Sequence, residues 1–147
     1  MTEAKDSVSI DRLRPDDRAA WLRLARGYKA FYGSELPRSA YDLAWKRLRG
    51  DQGLYGLGAR LGPDLVGIVH YLFHGNVWMA DVCYLQDLFV DEAHRGRGIA
   101  RRLIDGVADA VRRHGAPRLY WQTKADNSNA RTLYDKLGKH QGFIRYD

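Results

Sequence analysis

Apolar residues recur along this chain in two rhythms, and the switches between them mark out the elements. Val8 and Ile10 alternate with polar neighbours, which predicts a short opening strand. Pro15-Asp16-Asp17 then gives a helix start, because proline presets φ and acids favour the positive end of the helix dipole. Trp21, Leu24, Tyr28 and Phe31 follow at three- and four-residue steps as the buried stripe of that helix, and Tyr41, Ala44, Trp45 and Leu48 mark a second one from Ser39 to Arg49. From Leu54 the rhythm becomes that of strands. Leu54 to Arg60 and Leu65 to Phe73 flank a Gly62-Pro63-Asp64 turn, and after Gly75-Asn76 the stretch Val77 to Val90 holds one or two more. Ile99, Leu103, Val107 and Val111 restore the helical period, and that helix is closed by Arg112-Arg113-His114, Gly115 and Pro117. A strand from Leu119 to Thr123 follows. Asn127 or Ser128 then caps a helix carrying Ala130, Leu133, Tyr134 and Leu137, which Gly138 ends, and Phe143, Ile144 and Tyr146 read as a last strand. This order predicts a mixed α/β fold, helices covering a twisted, mostly antiparallel sheet.

Composition narrows the setting. A chain of 147 residues without linker, repeat or low-complexity tract is expected to be one domain, residues 1–147, and its 45% apolar content is enough for a core. No run approaches the roughly 18 apolar residues of a membrane span. Met1 to Asp6 is polar with no apolar stretch behind it, so a cytoplasmic location is expected, without membrane association. The single cysteine, Cys83, stands between apolar residues and reads as core. The five histidines show no zinc spacing, and His70 and His74 are four apart in strand-like sequence, so no metal is expected. The net charge of +6 fits either nucleic acid or a phosphorylated small molecule as partner.

The charge is local. Six arginines (Arg95, Arg97, Arg101, Arg102, Arg112 and Arg113) face only Asp105 and Asp109 between positions 95 and 113. The first four surround a two-glycine loop that runs from an apolar strand, Leu88-Phe89-Val90, into the helix opened by Ile99 and Ala100. Unpaired N–H groups at a helix N-terminus bind phosphate, Gly96 and Gly98 let a diphosphate approach the main chain, and Arg95, Arg97 and Arg101 add forked donors. A Walker loop is excluded because Ile99-Ala100, not Lys-Ser/Thr, follows Gly98. A dinucleotide fingerprint fails at Arg101.

What does match is Arg-x-x-Gly-x-Ala at Arg95, Gly98 and Ala100. With Tyr84-Leu85-Gln86-Asp87-Leu88-Phe89-Val90 before it and Asn127-x-x-Ala130-x-x-Leu133-Tyr134 after it, the chain from about residue 8 onward resembles the GNAT superfamily of N-acetyltransferases. Within it, Phe31-Tyr32 and Ala130-Arg131-x-Leu133-Tyr134-Asp135 look nearest to the polyamine/diamine and the small histone- or amino-acid-acetylating branches. The resemblance implies acetyl-CoA as acetyl donor and a primary amine, on a small molecule or a peptide, as acceptor, joined by direct attack in a ternary complex. It implies that Leu88, Phe89 and Val90 hold the cofactor through their main chain, that Arg95, Gly96, Arg97, Gly98, Ile99, Ala100 and Arg101 hold its pyrophosphate, and that Asn127 and Ala130 contribute from the next helix. Tyr134 is implied as the acid that protonates the leaving thiolate. A homodimer, touching through the C-terminal strands, is expected on the same ground, and the basic loop then needs no nucleic acid. A nucleic-acid-binding module and a non-catalytic acetyl-CoA-binding domain are the alternatives.

Two departures from the family pattern bear on the acceptor side. Gln86 stands where the diamine branch often has glutamate, and an amide is no base. Asp87 is adjacent, but strand alternation sends it to the opposite face. A water relay or Glu35 is left as the base, which is therefore unassigned. Second, Lys139-His140-Gln141 separate Gly138 from Gly142-Phe143, about one helical turn more than usual.

Overall fold

A computed structural model describes residues 7–147. Met1 to Asp6, the polar start of the chain, lie outside them. Five strands form one sheet in the order β1-β2-β3-β4-β5: β1 (Val8–Arg12), β2 (Leu54–Leu61), β3 (Asp64–His74), β4 (Val82–Val90) and β5 (Leu119–Tyr120). The first three pairings are antiparallel and the last, β4 with β5, is parallel. Four helices flank the sheet: α1 (Arg18–Phe31), α2 (Arg38–Arg49), α3 (Ile99–His114) and α4 (Ser128–Leu137).

Each face of the sheet has its own core. On one side Trp21, Leu24 and Ala25 of α1 and Tyr41 and Trp45 of α2 pack on Leu13, Leu65 and Ile68. On the other, Ile99, Leu103, Ile104, Val107 and Val111 of α3 cover Val69, Tyr71, Cys83 and Leu85, with Leu133, Tyr134 and Leu137 of α4 beside them. The four-residue repeat in α3 buries one broad face, as its spacing predicts. Gly115 closes the helix at φ +80°, its N–H bonded to the carbonyls of Val111 and Arg112.

One buried polar group anchors the entry to α1. Asp17 is 7% exposed, accepts the Arg14 N–H at 2.6 Å and receives both terminal nitrogens of Arg60, Nη1 at 2.6 Å. Arg60 also donates through Nε to Asp11 at 2.9 Å. The cluster ties α1 to β1 and β2 with the forked geometry that makes Arg–carboxylate pairs strong.

Three sequence expectations change. Phe143, Ile144 and Tyr146 form no strand and stand 87%, 74% and 84% exposed. Alternation signals a face, but a strand also needs a hydrogen-bonded neighbour, and this segment has none among the described residues. The strand foreseen over Leu119 to Thr123 stops at Tyr120, and Trp121 turns to α4 instead. Phe31, counted in the α1 stripe, is 57% exposed at the last turn and meets the edge of Tyr32.

Candidate active site

Gly98 is the residue before α3 and sits at φ +76°, with Gly96 at +78°, conformations that side-chain-bearing residues rarely adopt. A Cβ at either would point into open space, so the loop presents bare main chain to whatever approaches it. The N–H groups of the first α3 turn follow directly and carry the positive end of the helix dipole. Arg97 and Arg101 are exposed beside them. Arg95 is used differently: its Nε donates to the Val90 carbonyl at 3.1 Å and its guanidinium lies 5.2 Å from the centre of the Phe89 ring. It straps the loop to the end of β4, and the Val90 carbonyl is satisfied inside the protein. This loop fits a pyrophosphate.

Next to it the sheet opens. β4 and β5 pair at Cys83–Leu119 and Tyr84–Tyr120, so from Leu85 to Val90 the edge of β4 on that side has no strand neighbour among the described residues. The parting begins at a bulge: Leu85 pairs with Tyr71 and Asp87 with His70, leaving Gln86 without a partner. Simple alternation groups Tyr84 with Gln86. Through the bulge Asp87 instead falls on the face of Tyr84, toward α1. Leu88 packs on the α3 side and Phe89 on the α1 side, which fits a role for their main chain rather than their side chains.

The floor on the α1 side is polar and aromatic. α1 crosses β4 so closely at Phe89 that a Cβ on Gly27 would meet its ring at 2.8 Å, and this brings Tyr28 to Asp87. Burial raises the Tyr28 phenol above its ordinary value, and the Asp87 charge adds to that. Burial alone would raise the Asp87 carboxyl too, but His70, through its hydrogen bond and its charge when protonated, with Tyr28 and Lys29 behind it, outweighs burial and holds it below the usual range. His70 Nδ1 lies 2.9 Å from Asp87 Oδ2, and the indole N–H of Trp21 donates to His70 Nε2 at 2.9 Å. Tyr28 packs on Tyr32 at 5.0 Å, and the ammonium of Lys124, from the segment after β5, lies 5.7 Å from the Tyr32 ring centre.

Tyr134 closes the other side. Its ring meets Trp121 edge-on at 5.6 Å, and its phenol is pushed up to about 12, chiefly by burial and then by Tyr32. Asn127 is the α4 cap the sequence calls for: Oδ1 accepts from the Ala130 N–H at 3.4 Å and Nδ2 donates to Thr123 at 3.1 Å, so both ends of its amide serve the fold. Glu35 stands exposed in the α1–α2 connection. Cys83 is fully buried, its thiol raised to about 11 by burial, which leaves it inert at neutral pH. No group of three or more His, Cys, Asp or Glu among the described residues is arranged to hold a metal ion.

Tyr134 lies on α4 against the α3-side core, the glycine loop leads into α3, and the unpaired stretch of β4 runs from Leu85 to Val90. What sequence reasoning missed is the Trp21–His70–Asp87 chain. Its only sequence signal was the presence of the three residue types, since their juxtaposition depends on the bulge and on where α1 crosses the sheet.

The acetyltransferase (GNAT) family model matches residues 21–139, and the chain belongs to that family. A D-amino-acid N-acetyltransferase, HPA3 of Saccharomyces cerevisiae, is 30% identical over 146 residues, covering 96% of this chain and 90% of the yeast protein. Among solved structures, the ribosomal-protein-alanine N-acetyltransferase of Brucella melitensis biovar Abortus superposes with a TM-score of 0.80 at 25% identity, over 96% of this chain and 98% of the other. The aminoglycoside N-acetyltransferase AAC(6')-Iy, solved with CoA, gives 0.84 at 19% identity, over 96% and 94%, a likeness of fold.

Proposed function

We propose that this chain, as a single catalytic domain, transfers the acetyl group of acetyl-CoA to a primary amine by direct attack within a ternary complex. The observation that carries the reading is the gap between β4 and β5, with a bare glycine loop and helix N-terminus at one end and the Tyr134 phenol within the electrostatic reach of Tyr32 at the other. When bound, acetyl-CoA supplies the thioester that is cleaved. Gly96, Arg97, Gly98, Ile99, Ala100 and Arg101 bind the pyrophosphate, Arg95 and Val90 brace that loop, and the main chain of Leu88 and Phe89 lines the gap. Ala130 and Asn127 set the first turn of α4, which aims Tyr134 at the departing sulfur.

In the reaction a C–N bond forms as the C–S bond breaks, and the proton the nitrogen loses balances the one the thiolate gains. Tyr134 delivers the latter. The amine enters from the side of Tyr28, Tyr32 and Asp87. Amino acids are the first acceptors to try, since the yeast relative is named for them, and polyamines, aminoglycosides and lysine peptides complete the set. No helix among the described residues is long and apolar enough to cross a membrane. The reading includes a cytoplasmic location and a homodimer, and neither a nucleic acid nor a metal takes part. Thiol release from acetyl-CoA across that acceptor panel is the test. Acetyl-CoA binding without turnover on any amine would leave a cofactor-binding domain in place of an enzyme, and failure to bind acetyl-CoA would remove both.

A further inference from the structure

Trp21, His70 and Asp87 form a line of hydrogen bonds that runs from the buried core of α1 to the acceptor side of the gap. We infer that Asp87 is the anchor for the acceptor's amine, taking an N–H bond from it rather than its proton, and that Trp21 and His70 are the positioning residues that hold this carboxylate in place. The inference rests on the acetyltransferase reading and goes beyond it by assigning the acceptor's first contact.

The direction of each bond follows from chemistry. An indole nitrogen only donates. The Trp21 N–H pointing at His70 Nε2, 2.9 Å away, therefore requires a lone pair there, and the ring proton must sit on Nδ1. That N–H is aimed at Asp87 Oδ2, also at 2.9 Å, so His70 is neutral and donates to the carboxylate. Trp21 is 2% exposed and packed between Trp45, 5.2 Å away, and His70, which fixes the indole and with it the tautomer. Tyr28 and Lys29 of α1 are the other ionisable groups that act on Asp87.

Asp87 is thus an ion with part of its capacity already used by the His70 N–H. A carboxylate offers about four lone-pair sites. The side chain keeps 20% of its surface exposed, so part of that capacity stays open to an incoming group. A carboxylate held low by such a donor is a poor base toward an alkylammonium yet accepts an amine N–H, and a neutral amine held by one N–H keeps its lone pair free to point into the gap. The amine's own ionisation, not that of an enzyme group, then governs the acid limb of the rate.

The test uses acceptors whose amines differ in pKa by a unit or more. The acid limb of kcat/KM is expected to move with the acceptor, and a limb fixed at one pH for all acceptors would show an enzyme base and overturn the inference. Asp87→Asn is expected to raise the KM for the amine about tenfold or more while the KM for acetyl-CoA stays within about twofold; an unaltered kcat/KM for the amine would refute the anchor. Nitrogen-15 NMR of the unmodified protein reads the lock without any variant: His70 should show protonated Nδ1 and bare Nε2 at neutral pH, and the opposite tautomer refutes it. Turnover on no amine at all would sink the acetyltransferase reading itself, whereas turnover that ignores Asp87→Asn sinks only the anchor.

Discussion

Replacing Tyr134 by phenylalanine removes one oxygen and leaves the ring that packs on Trp121, so the effect on rate isolates the phenol. Its proton is held tightly, since burial first and Tyr32 second push the group up to about 12. A free thiol titrates near ~8.5, so complete transfer from this phenol to a thiolate is uphill by about 3.5 units, roughly 5 kcal/mol. The proton therefore stays on Tyr134 until the C–S bond is nearly broken. For most of the reaction the phenol supplies a hydrogen bond to a sulfur gaining negative charge. Bonds to charged groups are worth about 1.5–3 kcal/mol, which corresponds to roughly a 10- to 150-fold loss of kcat. Thiol release at saturating acetyl-CoA and acceptor measures it, and the acetyl-CoA KM should stay within about twofold. The raised value also means that the phenol remains protonated through neutral and mildly alkaline pH, so Tyr134 adds no basic limb there. A kcat loss under about threefold would refute the acid role. A limb below about pH 10 that vanishes in the variant would refute the stated environment of the phenol.

Other outcomes follow from the same geometry. Asp17→Asn leaves the Arg60 guanidinium, 11% exposed, with Asp11 alone, and should cost about 3 kcal/mol at neutral pH, read by urea unfolding. Because the Arg60 hydrogen bond holds the Asp17 carboxyl below its ordinary value, that stabilisation is complete above the usual carboxylate range and is lost as pH falls through the lower folded value, so the difference between wild type and variant should shrink in acid. A difference that grows on acidification would contradict the assignment. Arg97→Ala should weaken acetyl-CoA binding about tenfold by calorimetry, more at low salt than at high, and a salt-independent loss would argue against a phosphate contact.

The sequence carried the fold because its signals were periodic and punctuated. The α3 stripe from Ile99 to Val111, with Gly98 before it and Gly115 after it, specified that helix and its buried face without help from tertiary contacts. The glycine loop was legible for a related reason: Gly96 and Gly98 signal their conformation locally, and the arginines their charge. The acceptor end was not. Asp87 meets His70 because of a bulge, and Tyr28 meets Asp87 because Gly27 lets α1 lie against Phe89, and both depend on how separate elements pack. The C-terminal strand failed for the converse reason, since Phe143, Ile144 and Tyr146 carry the local signal with no partner to complete it.

The bulge at Gln86 makes this residue unusual in what depends on it. Leu85 and Asp87 already face opposite sides of the sheet and already pair with Tyr71 and His70, so removing Gln86 would leave each neighbour on its present face and splice two halves of a regular ladder. The apolar layers on both sides would keep their members. What would go is the bend, and with it the reason for β4 to part from β5 after Tyr84. A chain one residue shorter here is expected to fold, melt normally and fail to take up acetyl-CoA, as a thermal melt and a binding titration would show. Position 86 would then tolerate many side chains but not a deletion: the reaction depends on the length of the strand at a point where the fold does not.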